Sequence, residues 1–387
     1  MRGRLSTLLA AVVVLLGAPA VAAQNAPAPP PGAPPLPKAW IIVDADTGAV
    51  IDEGNARAIT RPASTIKVLT ALIALERLPA NDGIPVSAKA EGMPARKINM
   101  KAGQVWDLED TLITLLTVSA NDAAVALAER IGGGSLDEYV DIAHATGERL
   151  GMQDGPRLFD PAGLDDEFSN QGGTLISARD LAIAARAAMR QPLIMQAASM
   201  PEYRYKGGDA IDHVVRQKNL LLSLYPGATG MKTGFTEKAG RCLIATATRG
   251  GRTMLAVVID AVDTYGSAAW LMDRGFATPV SAQTDLDHLP PVVEGASIEV
   301  PEMDARPAPA PARTASIQQT AADGDGGGGS SAGRSMAVLV IGGLPAAVIL
   351  RRRQVVARRE RARLARQLAR QAQAPDVRRP LEDSISR

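Results

Sequence analysis

The sequence predicts an α+β body, an antiparallel sheet covered by helices, with one transmembrane helix near the C-terminus. Three observations carry that expectation. Strand-like segments stand at both ends of the region 38–280, and helical patterns fill its middle. Apolar residues make up 46% of the 387-residue chain while aromatics make up 3%, enough for a large core built mainly from aliphatic side chains and alanine. Finally, an uncharged run of sixteen residues, SMAVLVIGGLPAAVIL, is followed at once by three arginines.

The elements follow in order. Residues 1–23 read as a secretory signal peptide: Arg2 and Arg4 form a basic start, Leu8 to Leu16 an apolar stretch, and Ala20-Val-Ala22 or Val21-Ala-Ala23 a small-residue cleavage site. Residues 24–37 form a Pro-rich spacer. Ala39–Asp44 and Ala49–Asp52 flank Asp46-Thr-Gly48 as a hairpin. Helical patterns cover about 64–78, 107–117, 121–131 and 177–190. A second hairpin joins the apolar runs 243–248 and 253–259 through Arg249-Gly-Gly-Arg252, and a closing helix covers Gly266 to Arg274. Past residue 280 the pattern weakens, and 281–334 reads as a linker rich in Pro, Ala and Gly. Its glycine run lacks a following Lys-Ser/Thr, so it is no phosphate loop.

Residues 335–350 read as a transmembrane helix. At ~1.5 Å per residue they span about 24 Å, and Arg334 and Arg351 snorkel to complete the ~30 Å crossing. Arg351-Arg-Arg353 is a stop-transfer, positive-inside signal. The tail 351–387 holds twelve Arg and four acids, a net of +8. The remaining 350 residues hold 30 bases and 37 acids, a net of −7. This asymmetry fits an exported body, a single membrane pass and a cytoplasmic Arg-rich tail. The tail has no aromatics on which bases could stack, which argues against nucleic acid. Cys242 is the only cysteine, so no intrachain disulfide forms, and its apolar setting reads as core. His144, His213 and His288 are scattered and form no metal-ligand pattern, so neither metal nor cofactor is expected.

The chemistry starts at Arg61-Pro-Ala-Ser-Thr-Ile-Lys67, where Lys67 follows Ser64 by three residues at a helix start. A serine there reads equally as a helix cap. The helix that follows, however, is apolar almost all round, so it is buried and its lysine needs a role. Desolvation lowers a lysine's pKa, and a neutral amine one turn from a hydroxyl can take its proton. Ser119-Ala-Asn121 precedes a helical pattern, where Asn121 or Asp122 could be a cap, and Lys232-Thr-Gly234 precedes a strand-like run, where it could be a turn. Each tripeptide is common; the ordered set Ser-x-x-Lys, Ser-x-Asn, Lys-Thr-Gly is not.

With these three motifs the chain resembles the D-alanyl-D-alanine carboxypeptidases, the low-molecular-weight penicillin-binding proteins of the DacA type. Leu224 to Gly240, Ser119 to Ala124, Gly163-Leu164, Ser177 to Asp180 and Ala39 to Gly48 extend the resemblance over about residues 38–277. It departs at Ala162, where family members often carry His, and in lacking a C-terminal β-rich domain. The resemblance implies the penicillin-binding protein/β-lactamase-like fold and no cofactor. Ser64 would be the nucleophile, Lys67 the general base, and Ser119 the proton relay to the leaving amine. Asn121, Lys232, Thr233, Gly234 and Phe235 would bind substrate, with the N–H groups of Ser64 and Phe235 forming the oxyanion hole. The substrate would be a peptidoglycan stem peptide ending in D-Ala-D-Ala, and β-lactams would inhibit. Two alternatives stand beside this: a β-lactamase or DD-endopeptidase of the same fold, and a non-catalytic wall-binding module. Glu167-Phe-Ser-Asn170 does not match the Glu-x-x-Leu-Asn loop of class A β-lactamases.

Overall fold

The N-terminal and C-terminal strands of the body meet in one sheet. The computed structural model describes residues 34–292. The expected signal peptide (1–23), membrane helix (335–350) and tail (351–387) lie outside them. In chain order the elements are β1 (Ala39–Asp44), β2 (Val50–Gly54), α1 (Lys67–Arg77), β3 (Gly83–Pro85), α2 (Ala88–Glu91), β4 (Val105–Asp107) and α3 (Leu108–Thr117). Then come α4 (Asn121–Ile131), α5 (Leu136–Leu150), α6 (Ala178–Ala188), α7 (Pro192–Ser199), β5 (Glu202–Lys206) and β6 (Asp212–Arg216). The last are α8 (Leu221–Leu224), β7 (Ala228–Thr236), β8 (Gly240–Arg249), β9 (Arg252–Ile259) and α9 (Thr264–Ala277). The main sheet is antiparallel with the order β2-β1-β9-β8-β7. β1 pairs with β9 from Ala39 opposite Ile259 to Asp44 opposite Met254, which closes the body on itself.

Side-chain alternation along these strands feeds two cores. Trp40, Ile42, Met254, Ala256 and Val258 face α9, with Leu271 and Met272. Ile41, Val43, Leu255, Val257 and Ile259 face the helical body. Both sheet faces are covered, so the strands read as continuous apolar runs. In the helical body α1 packs against α3, α4 and α6. Val68, Leu69, Leu72 and Ile73 of α1 are at most 1% exposed. Each contributes roughly 1.5–3 kcal/mol by burial, which offsets the cost of enclosing Lys67 in the same helix. Alanines of α4 and α6 supply the flat surfaces that let these helices approach closely.

Three features depart from the sequence reading. The helix expected from residue 64 begins with a 3₁₀ turn, Ala63–Ile66, before α1. Lys232-Thr-Gly234 is not a turn before a strand but part of the edge strand β7 itself. Residues 281–292, assigned to the linker by composition, are packed on the β1–β2 hairpin. Gln283 donates to Asp44 Oδ2 at 2.9 Å, the Leu289 N–H donates to the Gly48 carbonyl at 2.8 Å, and Leu289 is 3% exposed. Helix α5 was not among the expected helices; Ser135 caps it by accepting from the Glu138 N–H, and Gly151 ends it at φ +84°. Among the described residues no helix is long and apolar enough to cross a membrane.

Candidate active site

The 3₁₀ turn holds Ser64 against the edge of the sheet. Ala63 adopts a left-handed conformation at φ +49°, which swings Ser64 away from the helix axis. This turn leaves no room at Gly163: a Cβ there would fall 1.8 Å from the Ala63 carbonyl oxygen. Gly163 itself sits at φ +75°, so its residue type is set by both space and backbone. Ser64 does not cap the helix, since no side chain does so at this start.

Its hydroxyl is engaged instead by Lys67. The Lys67 ammonium donates to Ser64 Oγ at 2.9 Å, to Asn121 Oδ1 at 2.8 Å and to the Ala162 carbonyl. Three donors thus meet three acceptors. Lys67 is 0% exposed, and burial pushes its pKa down to about 7, against the opposing pull of Asp160 and Asp122 and with help from Arg96. When the amine is neutral, the Ser64 contact reverses and the hydroxyl becomes the donor. The departure at residue 162 is harmless for this contact, because the main-chain carbonyl makes it.

Asn121 and Asp122 are not caps either. The Asn121 side-chain amide donates to the Pro94 carbonyl at 3.1 Å and its N–H to the Arg96 carbonyl at 2.8 Å. The Asp122 carboxylate accepts from the Ile98 and Met100 N–H groups, which ties the 95–100 loop to α4. Burial raises its pKa, opposed by those hydrogen bonds. Asp160 acts likewise on the other side: it accepts from the N–H groups of Ala162, Leu164 and Asn170, fixing the carbonyl that faces Lys67. Burial raises the pKa of Asp160 as well. Sequence reasoning offered Asp122 only as a cap and missed Asp160, since their partners are backbone groups that only folding brings near.

Ser119, at φ +66° and 7% exposed, opens onto the same cavity as Ser64. That cavity has a volume of about 450 Å³, and Ser64, Ser119, Asn121, Thr233, Gly234 and Phe235 contribute to its wall. Lys67 and Lys232 lie behind the wall. Lys232 is 2% exposed and donates to the Thr233 carbonyl at 2.9 Å. Burial, then Lys67 and Arg96, hold its pKa well below the usual lysine range. A Cβ on Gly234 would fall 2.9 Å from the Ser64 nitrogen, so glycine keeps that N–H approachable. Because β7 is the edge strand, its outer backbone groups face the cavity side without a strand partner. Three cations that the motifs did not reveal, Arg96, Lys218 and Arg241, also line the cavity. Cys242 lines it too, but burial pushes its thiol up to about 12, which keeps it protonated and inert.

A serine, a buried amine with a lowered pKa, a second serine and an exposed strand edge define a serine acyl-transfer enzyme. A sequence profile of peptidase family S11, described as D-alanyl-D-alanine carboxypeptidase, matches residues 29–263. The chain belongs to this family and is a serine peptidase. It is 34% identical over 258 residues to D-alanyl-D-alanine carboxypeptidase DacB2 of Mycobacterium tuberculosis, covering 64% of this chain and 86% of that protein. It is 30% identical to D-alanyl-D-alanine carboxypeptidase DacF of Bacillus subtilis, covering 67% of each. The crystal structure of a D-alanyl-D-alanine carboxypeptidase from M. tuberculosis H37Rv aligns with a TM-score of 0.60 at 30% identity, covering 67% of this chain and 99% of that one.

Proposed function

We propose that the enzyme removes the terminal D-alanine from peptidoglycan stem peptides through an acyl-enzyme on Ser64. The observation that carries this reading is the 2.9 Å contact between Ser64 Oγ and the buried Lys67 amine. Ser64 Oγ attacks the carbonyl carbon between the two D-alanines as Lys67 takes its proton. The N–H groups of Ser64 and Phe235 receive the oxyanion. The C–N bond then breaks, and Ser119 passes the proton from Lys67 to the departing amine. Water hydrolyses the ester and frees Ser64. Asn121 binds the donor amide, and Thr233, with Lys232 behind it, receives the terminal carboxylate. A ligand carboxylate would pull the Lys232 pKa back up. β-Lactams would acylate Ser64 by the same route.

One observation favours a penicillin-binding carboxypeptidase over a β-lactamase. Among the described residues no carboxylate lines the cavity wall to drive rapid deacylation, and Glu167 is exposed outside it. A penicillin adduct should therefore persist. The location completes the proposal: export by residues 1–23, an anchor at 335–350 and a cytoplasmic tail at 351–387 place the body outside the membrane, where its polymer substrate lies. The test is free D-alanine after incubation with a linear peptide ending in D-Ala-D-Ala. Stoichiometric release over many turnovers is expected. Absence of release from folded protein would overturn the reading, and cleavage confined to cross-linked peptides would replace it with the DD-endopeptidase.

A further inference from the structure

The C-terminal end of α4 carries a cavity of about 360 Å³ that is separate from the catalytic one. Asn121 starts this helix beside Lys67, and Glu129 follows eight residues later, ~12 Å along the axis. Glu129 and Arg130, Pro85 and Ser87, and the Gly133-Gly134 turn line the cavity. None of its lining residues belongs to the catalytic motifs.

The charges around it do not balance. The Arg130 guanidinium is spent on Asp82, whose two carboxylate oxygens it meets at 2.9 Å. Glu129 keeps one carboxylate oxygen, Oε2, that is buried and has no hydrogen-bond partner among the described residues. Lys89 of α2 is exposed and does not bond that oxygen. Asp82 and Glu129 set against Arg130 leave one net negative charge, which favours a cation.

The backbone selects the kind of cation. Pro85 has no N–H, and the alternation of β3 against β4 turns its carbonyl away from that partner strand. The Val86, Gly133 and Gly134 N–H groups already donate to the carbonyls of Gln104, Arg130 and Glu129. The Ser87 hydroxyl oxygen accepts from the Ala90 N–H as the cap of α2. A buried carboxylate oxygen without a donor is costly. A primary ammonium brings three donors and no acceptor, so it relieves that cost without creating another. A Cβ on Gly133 or Gly134 would meet nothing within 4 Å, so this side is open to an entering alkyl chain.

We infer that this cavity is an exosite for a primary ammonium on a side chain of the wall polymer, held by Glu129 while another stem peptide of that polymer occupies the catalytic cavity. A polymer presents many peptides to one enzyme, and the two cavities stand at the two ends of one helix. The choice of polymer rests on the carboxypeptidase reading above.

The test uses the full-length enzyme with Ser64 acylated by benzylpenicillin, which closes the catalytic cavity to the probe. Nα-acetyl-L-lysine amide and its Nε-acetyl derivative are compared by saturation-transfer NMR. The free amine is expected to bind about tenfold more tightly, as for a charge-assisted hydrogen bond. Glu129→Gln should remove the difference, with thermal unfolding unchanged because Oε2 bonds nothing in the fold. Native wall polymer should pellet more enzyme than polymer whose amines are acetylated, again only while Glu129 is present. Equal binding of the two probes, a preference that survives Glu129→Gln, or equal pelleting by both polymers would overturn the exosite. Absence of D-alanine release by the native enzyme would instead strike the carboxypeptidase reading and the polymer as the source, while a preference for the free amine at Glu129 would still stand.

Discussion

Lys67→Ala is expected to slow acylation of Ser64 about a thousandfold while the protein stays folded, within the range of general-base contributions. The amine is the one group placed 2.9 Å from the nucleophile that can accept its proton. Asn121 and the Ala162 carbonyl would each lose a donor, and Asn121 lines a cavity that water can enter. The informative companion is Lys67→Arg. Guanidinium keeps the positive charge and cannot act as a base, so the variant should be as slow as alanine. Rates should be followed as covalent penicillin incorporation, with thermal unfolding measured in parallel. Fast acylation in a folded Lys67→Ala protein would remove the lysine from the mechanism.

The second large effect is in pH. Burial brings the Lys67 pKa to about 7, and only the neutral amine can accept a proton. Below that value the active fraction falls tenfold per pH unit, so acylation at pH 5 should be about a hundredfold slower than on the plateau above pH 8. The sign separates this enzyme from one using a carboxylate base, whose rising limb would lie near pH 4. Asp160 and Asp122 favour the charged amine. Asp160→Asn should therefore move the midpoint down, provided the hydrogen bonds to Ala162 and Leu164 persist. A rate independent of pH between 5 and 8 would contradict the assignment.

Much of this site is local in sequence and was readable there. Ser64 and Lys67 are one helical turn apart, so spacing alone places them together. The apolar faces of α1 reported that the lysine is buried, and the apolar runs of β8 and β9 on either side of Arg249-Gly-Gly-Arg252 gave the hairpin. Pairings across the chain were not readable. Nothing in Lys232-Thr-Gly234 says that it lies on the edge strand beside Ser64; that follows from β1 closing onto β9 and leaving β7 outermost. Asp122 reads as a possible helix cap and Asp160 as an ordinary acid until the 95–100 loop and the 160–164 segment fold over them. The positive φ of Ala63 and Ser119 left no mark, because neither residue type advertises it. Composition also ended the body too early. Val280 to Val292 contain prolines and acids, yet Gln283 and Leu289 anchor this strap to β1 and β2.

The central claim is that Ser64 carries the acyl group. Its most direct test is the intact mass of the full-length protein after brief exposure to benzylpenicillin, with the modified residue mapped by peptide fragmentation. One penicilloyl adduct per chain, located on Ser64, persisting for minutes or longer and missing in Ser64→Ala, is the predicted result. An adduct on another residue, or one that still forms in the Ser64→Ala protein, would contradict it.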